Sequence, residues 1–450
     1  MLKKIIGTKN FYKKVIAISL PVVIQQLITT SVQLVDNVMV GRLGESAISS
    51  VAVVNQLYFV VILVAFGIIG GAGIYTAQYF GSKDYEKLRE SFRFKLSAGL
   101  LLAVIAFTVF SIFGEQLISI FTNNETTIEN GLAYLKITRF NILPMLVSFA
   151  ISSTFREIGL PKLLLKISVT TILVNTVLNY LLIFGSFGFP ELGVVGAAYA
   201  TLIARFLEVG LLLLLVKKRG KVFATKFRRI FKIEKAVLAS ILIVALPMML
   251  NETMWSVGQT AFLKAYSTRG DSALAAFNIS SAISQLVFII FGAMSTAVAV
   301  MVGNKLGANK LEEAKDNAVK LIAFSVFVAF VSGLLLIVGS FFIPNLYDVA
   351  ESTKEIVAFN IRVNGVFIPV FAFNMGLFFV IRAGGDAKST LLMDAVFMWV
   401  VTVPMALGLA YFTKLDVRIM FLIIQANDIP KGIFGIMRYR KGNWVKNLAE

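Results

Sequence analysis

The sequence predicts an all-α polytopic membrane protein with twelve transmembrane helices in two six-helix lobes, related by a pseudo-two-fold axis along the membrane normal. Of the 450 residues, 58% are hydrophobic and only 15% are charged, whereas soluble domains are about 25% charged. The mean hydropathy is +0.83. An internal repeat, described below, divides the apolar runs into two equal sets.

The first apolar run, residues 20–44, is long enough to cross a membrane, because a spanning helix needs about 20 apolar residues. It is too long for a signal-peptide core and lacks a small-residue cleavage site, so we expect it in the mature chain. Polar hinges and a Gly- and Pro-rich turn separate it from five further runs. These predict helices at Ala47–Phe80, Leu96–Phe113, Tyr134–Phe155, Leu163–Leu182 and Val194–Val216.

A basic segment, residues 217–235, follows the sixth predicted helix. It holds nine Lys or Arg residues and one Glu, a composition typical of an amphipathic linker at a membrane surface. Six more helices are predicted after it, at Val237–Tyr266, Ala273–Leu306, Val319–Phe342, Ile356–Ile381, Leu391–Tyr411 and Val417–Met437. The chain therefore divides into an amino-terminal lobe (1–216), the linker (217–235) and a carboxy-terminal lobe (236–450).

Basic residues are concentrated in alternate loops and at both ends of the chain, whereas the loops after the third and ninth helices are acidic. The charged segment 81–95, GSKDYEKLRESFRFK, is expected to be an exposed loop of the basic set. Because cytoplasmic loops carry the excess of Lys and Arg, both termini and the linker are expected in the cytoplasm. The net charge of +18 then reflects orientation in the plasma (inner) membrane, not nucleic-acid binding. We expect a monomer in the lipid bilayer.

The two lobes match at a constant offset of 226 residues. The hinge Gly44–Ala47 aligns with Gly270–Ala273, and the R-x-x-G-x-x-K motif at 156–162 recurs at 382–388. The other landmarks pair Leu20-Pro21 with Leu246-Pro247, Gly81 with Gly307, Glu86 with Glu312 and Lys136 with Arg362. Because each half has an even number of spans, both enter the membrane from the same side. This arrangement is typical of transporters, and no filter-like polar run indicates a channel.

Carboxylates inside the spans are the candidate functional groups, because an Asp near mid-membrane costs about 3 kcal/mol on insertion scales. Asp36 lies in the first helix, which has a polar face made by Gln25, Gln26 and Gln33. Asn175 and Asn179 share one face of the fifth helix. With Asp36 they predict an oxygen-rich site for Na⁺ or H⁺; the alternative is that the two amides pack helices together.

Two more acids in the carboxy-terminal lobe are candidates for attracting a cationic substrate or a second ion. Glu252 lies in the seventh helix, and its repeat partner is Gln26, so the lobes differ chemically there. Asp394 lies in the eleventh helix. Glu208 in the sixth helix has Arg205 three residues earlier, which predicts a local ion pair. The chain has no His and no Cys, so any proton must be carried by a carboxyl, and zinc or thiol enzyme chemistry is excluded.

Several segments resemble the multidrug and toxic compound extrusion (MATE) family, in its bacterial NorM-like or DinF-like branch, over almost the whole chain. They are the first apolar run, REIGLPK (156–162), GAAYAT (196–201), RAGGDAK (382–388) and GNWVKNL (442–448). The resemblance implies two six-helix lobes around a central cavity. It also implies that cation influx drives the export of organic cations, with no cofactor and no enzymatic activity.

The resemblance also implies a cation site in the amino-terminal lobe, made by Asp36, Asn175, Asn179 and Thr201. Some family members carry a second acid on the fifth helix where this chain has Asn179. That departure lowers the charge of the site, and Na⁺ and H⁺ remain open alternatives.

In the NorM-like branch a second site uses an acid on the seventh helix, which Glu252 matches. Its acidic partner on the tenth helix is replaced here by Asn374, and Asp394 on the next helix could compensate. We group Glu252, Asp394, Asn374 and Gln33 as substrate or second-cation residues.

The expected function is therefore a secondary active antiporter that exports organic cations or drugs, driven by Na⁺ or H⁺ influx. The alternative is a flippase for a lipid-linked precursor, from the same superfamily. A flippase predicts a basic cavity for phosphate, whereas the intramembrane charges singled out here are chiefly acidic. A membrane enzyme would need a cluster of catalytic acids or bases at one membrane edge, which the sequence does not show.

Overall fold

Long helices account for most of the residues that the structure describes. The computed structural model describes residues 5–450, and within that range it contains helices, turns and no strand. Twelve of the helices are long and apolar enough to cross a membrane, as predicted. They are α1 Lys9–Gly41, α2 Glu45–Ser82, α3 Tyr85–Ile112, α4 Glu125–Glu157, α5 Lys162–Phe184, α6 Gly193–Arg219, α7 Lys235–Ser267, α8 Asp271–Gly307, α9 Leu311–Gly339, α10 Glu351–Ala383, α11 Ala387–Phe412 and α12 Val417–Arg440.

The helix bounds repeat with the register found in the sequence. α7 begins and ends 226 residues after α1, and α10 does so after α4. The backbone repeats as well: Gly44 has φ 110° and its counterpart Gly270 has φ 94°. Residues with a Cβ rarely adopt this conformation, which explains a glycine at both hinges. The duplication therefore extends from sequence to backbone geometry.

The ends of α2 and α8 cross at reciprocal positions of the repeat. A Cβ added to Gly81 would collide with the backbone of Asn304, and one added to Gly307 would collide with the backbone of Gln78. Gly307 is the repeat counterpart of Gly81, and Asn304 is the repeat counterpart of Gln78. The contact of Gly81 with Asn304 is therefore repeated by the contact of Gly307 with Gln78. Reciprocal contacts of this kind are those made by parts related by two-fold symmetry.

The chain separates into two compact units. The amino-terminal unit contains Leu20–Thr76 and Asp84–Met249, and the carboxy-terminal unit contains Ala77–Lys83, Leu250–Glu450 and the described residues through Ser19. The amino-terminal unit has a large apolar core, formed mainly by α2, α3 and α4. Among the described residues of the carboxy-terminal unit, one cluster of similar size lies along α8, α9 and α10, and two smaller ones involve α8, α10 and α12.

The charged segment 81–95 is not the exposed loop that the sequence predicted. α3 begins at Tyr85 instead of Leu96, and most side chains from residue 91 to 95 are buried. Lys95 is fully buried because it forms an ion pair with Glu157 of α4. A buried charge without a partner is far more costly than a buried pair, and here the partner lies 62 residues away in the sequence. Hydropathy along the chain therefore placed the start of this helix too late.

The linker between α6 and α7 packs onto the amino-terminal unit. Between these helices it contains a single 3₁₀ turn, Phe227–Arg229. The Phe223 ring is fully buried, and its centroid lies 4.9 Å from that of Phe92. Arg93 of α3 donates to Thr225 Oγ1 at 3.1 Å. Two phenylalanines of the linker remain exposed, Phe227 (84%) and Phe231 (71%), which suits a segment at an apolar boundary.

The last residues of the chain pack within the carboxy-terminal unit. Trp444 is 2% exposed, and its indole Nε1 donates to the Tyr439 carbonyl at 3.0 Å. The buried Gln78 of α2 joins this tail to α10, because its Oε1 accepts from the Leu448 N–H at 2.7 Å and its Nε2 donates to the Ala383 carbonyl at 2.9 Å. Residues 444–448 are therefore an integral part of the fold.

Replacing Trp444 by Ala should release this tail, because removing a buried Trp costs about 3–5 kcal/mol. We expect faster digestion by carboxypeptidase and a lower Tm for the purified protein. Trp255→Ala is the matched control, since Trp255 is 37% exposed. Equal digestion rates for the two variants would contradict the packing described for Trp444.

Candidate functional site

The structure brings Asp36 of α1 and Asn179 of α5 together inside the amino-terminal unit. Asn179 Nδ2 donates to Asp36 Oδ1 at 2.7 Å. The Asn179 side chain is 2% exposed, and its Oδ1 has no hydrogen-bond partner among residues 5–450. Asp36 itself is only partly buried. The pair thus combines a carboxylate with a free amide oxygen, the ligand types that a proton or a hard cation prefers.

Tyr134 of α4 completes the surroundings of Asp36. It is 7% exposed, its hydroxyl is hydrogen-bonded to Thr201 of α6, and it lies close enough to Asp36 for electrostatic interaction. Four helices, α1, α4, α5 and α6, therefore contribute to one polar cluster. Sequence reasoning did not single out Tyr134. The available signal was that a tyrosine in an apolar span needs a partner for its hydroxyl.

Two other polar residues that were predicted near Asp36 are not hydrogen-bonded to it. Within the described chain, Asn175 and Gln33 form no hydrogen bond with Asp36, and Gln33 is exposed. Gln25 Nε2 donates to Ser168 Oγ at 2.6 Å, which ties α1 to α5. This contact is an interhelical hydrogen bond of the packing type. The polar face of α1 thus serves two purposes, packing at one end and the Asp36 cluster at the other.

Glu208 of α6, another acid in the amino-terminal spans, forms the predicted local ion pair. Its Oε2 lies 2.8 Å from Arg205 Nη1, and the Arg205 side chain is 41% exposed. An exposed pair of this kind contributes little to stability. Asp36, by contrast, forms no ion pair within residues 5–450 and lies in a cluster of polar residues.

In the carboxy-terminal unit, Glu252 and Asp394 each have a basic partner. Arg382 Nη1 lies 3.4 Å from Glu252 Oε1, and Lys431 Nζ lies 2.7 Å from Asp394 Oδ1. Asn251 Nδ2 donates to the second oxygen, Asp394 Oδ2, at 3.2 Å. Sequence reasoning did not single out Lys431. The signal was present, because a lysine inside an apolar span requires a counter-ion.

The helix that carries Asp394 is wound irregularly. Leu392–Val396 and Met398–Thr402 of α11 are π-helical turns. The Ala395 N–H donates to Asn251 Oδ1 at 3.2 Å, and Trp399 Nε1 donates to the Met254 carbonyl at 2.9 Å. π-Helical turns inside α-helices occur frequently at functional sites. Here the two hydrogen bonds join α7 to α11 near Asp394.

The repeat counterparts of the Asp36 cluster lack a carboxylate. At an offset of 226 residues, Asp36 corresponds to Phe262, Asn179 to Met405 and Thr201 to Asn427. Asn427 Nδ2 lies 3.3 Å from Met405 Sδ. The two halves therefore share a backbone but not this charge.

The chain is similar to known transporters in sequence. The model of the family described as MatE matches residues 21–181 and 245–407, one segment in each half. The chain is 26% identical to the probable multidrug resistance protein YoeA of Bacillus subtilis over 404 residues, which cover 88% of this chain and 86% of that protein. It is 23% identical to the probable multidrug resistance protein NorM of Thermotoga maritima, covering 97% and 94% of the two chains.

Two solved structures show the same fold. The Vibrio cholerae MATE transporter VcmN in the bent form superposes with a TM-score of 0.88 at 18% identity, covering 98% of both chains. A MOP superfamily transporter from Pyrococcus furiosus superposes with a TM-score of 0.85 at 20% identity, covering 98% of this chain and 97% of the other.

Proposed function

Because this chain belongs to the MatE family of multidrug efflux transporters, we propose that it is a secondary active antiporter that exports organic cations in exchange for Na⁺ or H⁺. Transporters of this family are membrane proteins and not enzymes. The single observation that carries the proposal is the Asp36 cluster, an acid in an apolar span whose hydrogen-bond partner is a neutral amide.

The chemistry of the Asp36 cluster supports cation binding. A carboxylate without a basic partner is expensive inside a membrane, and a bound proton or Na⁺ removes that cost. Asn179 Oδ1, which has no hydrogen-bond partner among the described residues, offers a second oxygen to the cation. Thr201 of α6, through Tyr134, and Asn175, one turn before Asn179 on α5, are the further residues that we propose for this site. An ion that moves down a 100 mV potential supplies about 2.3 kcal/mol per charge, enough to shift a two-state equilibrium by more than tenfold.

Cation binding at Asp36 would bend or shift α1. Pro21 lies inside this helix, and a proline removes one backbone hydrogen bond and introduces a point of bending. The repeat counterpart Pro247 lies inside α7. A change of charge at Asp36 would therefore act on a helix that already has a hinge.

In the carboxy-terminal unit, Glu252 and Asp394 would attract the organic cation or a second ion, with Asn374 as a further polar contact. Gln33 of α1, in the amino-terminal unit, remains a separate candidate for contact with the substrate. The distribution of Lys and Arg supports cytoplasmic termini and linker in the inner membrane. We propose that the protein acts as a monomer. A flippase for an anionic lipid precursor is disfavoured, because Arg382 and Lys431 are already neutralised by carboxylates.

Reconstitution into liposomes tests this function. A fluorescent organic cation is loaded inside, and its efflux is followed after an inward Na⁺ gradient or an inward H⁺ gradient is imposed separately. We expect one gradient, or both, to accelerate efflux relative to liposomes without a gradient. Efflux that ignores both gradients would exclude cation-coupled antiport, and movement of a labelled lipid precursor in its place would support the flippase.

A further inference from the structure

The linker, residues 217–235, carries a positive charge that the protein itself does not neutralise. It contains nine Lys or Arg residues and one Glu, and all of these side chains are exposed. Within residues 5–450, none of the nine bases forms an ion pair, and neither does Glu234. Nine bases minus one acid leave a net charge of +8 on the linker.

Two other basic segments of the chain neutralise most of their own charge. In segment 305–320 each of the four lysines forms an ion pair with an acid of α9. In segment 81–95 four of the five basic residues form ion pairs. The linker has the Lys and Arg residues of these segments without their acids, so a neutralising partner must come from outside the chain.

Two exposed aromatic rings lie among the bases of residues 226–232, which form the linker surface. Phe227 begins the 3₁₀ turn, and Phe231 lies four residues later. Both rings are exposed, whereas Ile230 is 9% exposed. Water solvates exposed bases well, but transfer of the rings from water to an apolar phase is favourable. Rings and bases on one surface match the boundary of a bilayer, where acyl chains meet charged headgroups.

The linker surface is held in place at one end of the membrane-spanning helices. The linker follows α6 and precedes α7, both of which are long and apolar enough to span a membrane. The Phe223 ring centroid lies 5.1 Å from that of Phe155 in α4, and Arg93 Nη1 of α3 donates to the Lys232 carbonyl at 3.0 Å. The exposed bases and rings are therefore presented by a backbone that is packed against the amino-terminal unit.

We propose that the linker surface binds the headgroups of anionic phospholipids. Arg228 and Arg229 would contact the phosphates, because the planar guanidinium group matches the geometry of phosphate oxygens. Phe227 and Phe231 would enter the layer where headgroups meet acyl chains. Each base near an anionic membrane surface strengthens binding by about fivefold. This lipid site lies wholly in the linker and does not depend on the Asp36 cluster or on drug export.

Quenching of tryptophan fluorescence by brominated lipids tests the proposal on the full chain in bilayers, without drug or gradient. Phe227→Trp adds one indole to the three of the parent chain, and the difference between the two proteins gives the signal of that indole. The bilayers contain phosphatidylcholine and phosphatidylglycerol, with one or the other brominated. We expect brominated phosphatidylglycerol to quench the added indole more strongly at equal mole fraction, and high salt to reduce this preference.

Further substitutions in the Phe227→Trp protein separate the effect of charge from that of packing. Arg228→Gln with Arg229→Gln should lower the preference for phosphatidylglycerol about fivefold for each charge removed. Arg228→Lys with Arg229→Lys keeps both charges and should retain most of the preference. Phe187→Trp in the parent chain is the matched control, because Phe187 is 89% exposed and no basic residue lies between Lys166 and Arg205. Both lipids should quench that indole equally.

Three results would overturn the proposal. The first is equal quenching of the indole at residue 227 by the two lipids, and the second is a preference that survives both Gln substitutions. The third is an indole that neither lipid quenches, which would indicate that the linker surface faces water and binds a soluble acidic partner. Loss of gradient-driven export in any of these variants would concern the proposed function and leave the lipid measurement unaffected.

Discussion

Asp36→Asn should abolish gradient-driven export of a fluorescent cation while the protein remains folded. The amide has nearly the shape of the carboxyl and can still form a hydrogen bond with Asn179, so the packing of α1 against α5 is retained. It can neither take up a proton nor offer a negative charge to Na⁺. In the liposome assay we expect complete loss of the component of efflux that depends on the ion gradient.

Glu208→Gln is the matched control for Asp36→Asn. It makes the same chemical change to another acid of the amino-terminal spans, but Glu208 is paired with Arg205 on its own helix. Export by this variant should stay close to that of the parent protein. If Asp36→Asn instead exports as fast as Glu208→Gln under the same gradient, the coupling ion does not bind at Asp36.

The twelve spans were predictable because hydropathy and the repeat agree along most of the chain. Errors occur at helix ends, where polar residues continue the helix. α4, for example, begins at Glu125 and not at Tyr134, because Asn124 caps it by accepting a hydrogen bond from the Thr127 N–H at 3.0 Å. A capping residue followed by a polar first turn resembles a loop in a hydropathy profile, although its sequence is that of a helix start.

Candidate site residues could be chosen from the sequence where a charged residue is isolated within an apolar run, and not where several charged residues lie close together. Asp36 is the only charged residue between Lys14 and Arg42. The free-energy cost of placing this charge in the membrane makes it a candidate functional residue from the sequence alone. Asp428 and Lys431 are three residues apart near the polar end of the chain, and resemble a local ion pair. In the structure Lys431 pairs with Asp394 of α11 instead. Such a choice depends on helix packing, which sequence spacing does not reveal.

The buried ion pair Lys95–Glu157 shows most clearly how the two halves differ. Lys95 is fully buried and also donates to Thr154 Oγ1 at 3.2 Å. At the repeat-related positions the carboxy-terminal half has Leu321 and Ala383, both buried and apolar. The same backbone position thus accepts either an ion pair or an apolar pair.

Lys95→Leu alone should strongly destabilise the protein. It leaves the Glu157 carboxylate buried without its base, and breaking a buried pair in this way costs about 3–5 kcal/mol. We expect a large fall in the Tm of the purified protein, or a loss of folded material on expression. Lys320→Leu is the control, because Lys320 pairs with Asp316, whose side chain is 48% exposed. This substitution should change the Tm little.

The double variant Lys95→Leu with Glu157→Ala should recover most of that loss, because it installs the residue types of the other half. Replacing both members of a buried pair by apolar residues is often neutral or stabilising. The hydroxyls left behind keep acceptors on their own helix, as Thr154 Oγ1 donates to the Ala150 carbonyl at 2.8 Å. If the double variant is no more stable than Lys95→Leu, the pair stabilises the fold beyond compensating its own buried charges. The residue types of the two halves are then not interchangeable at this position.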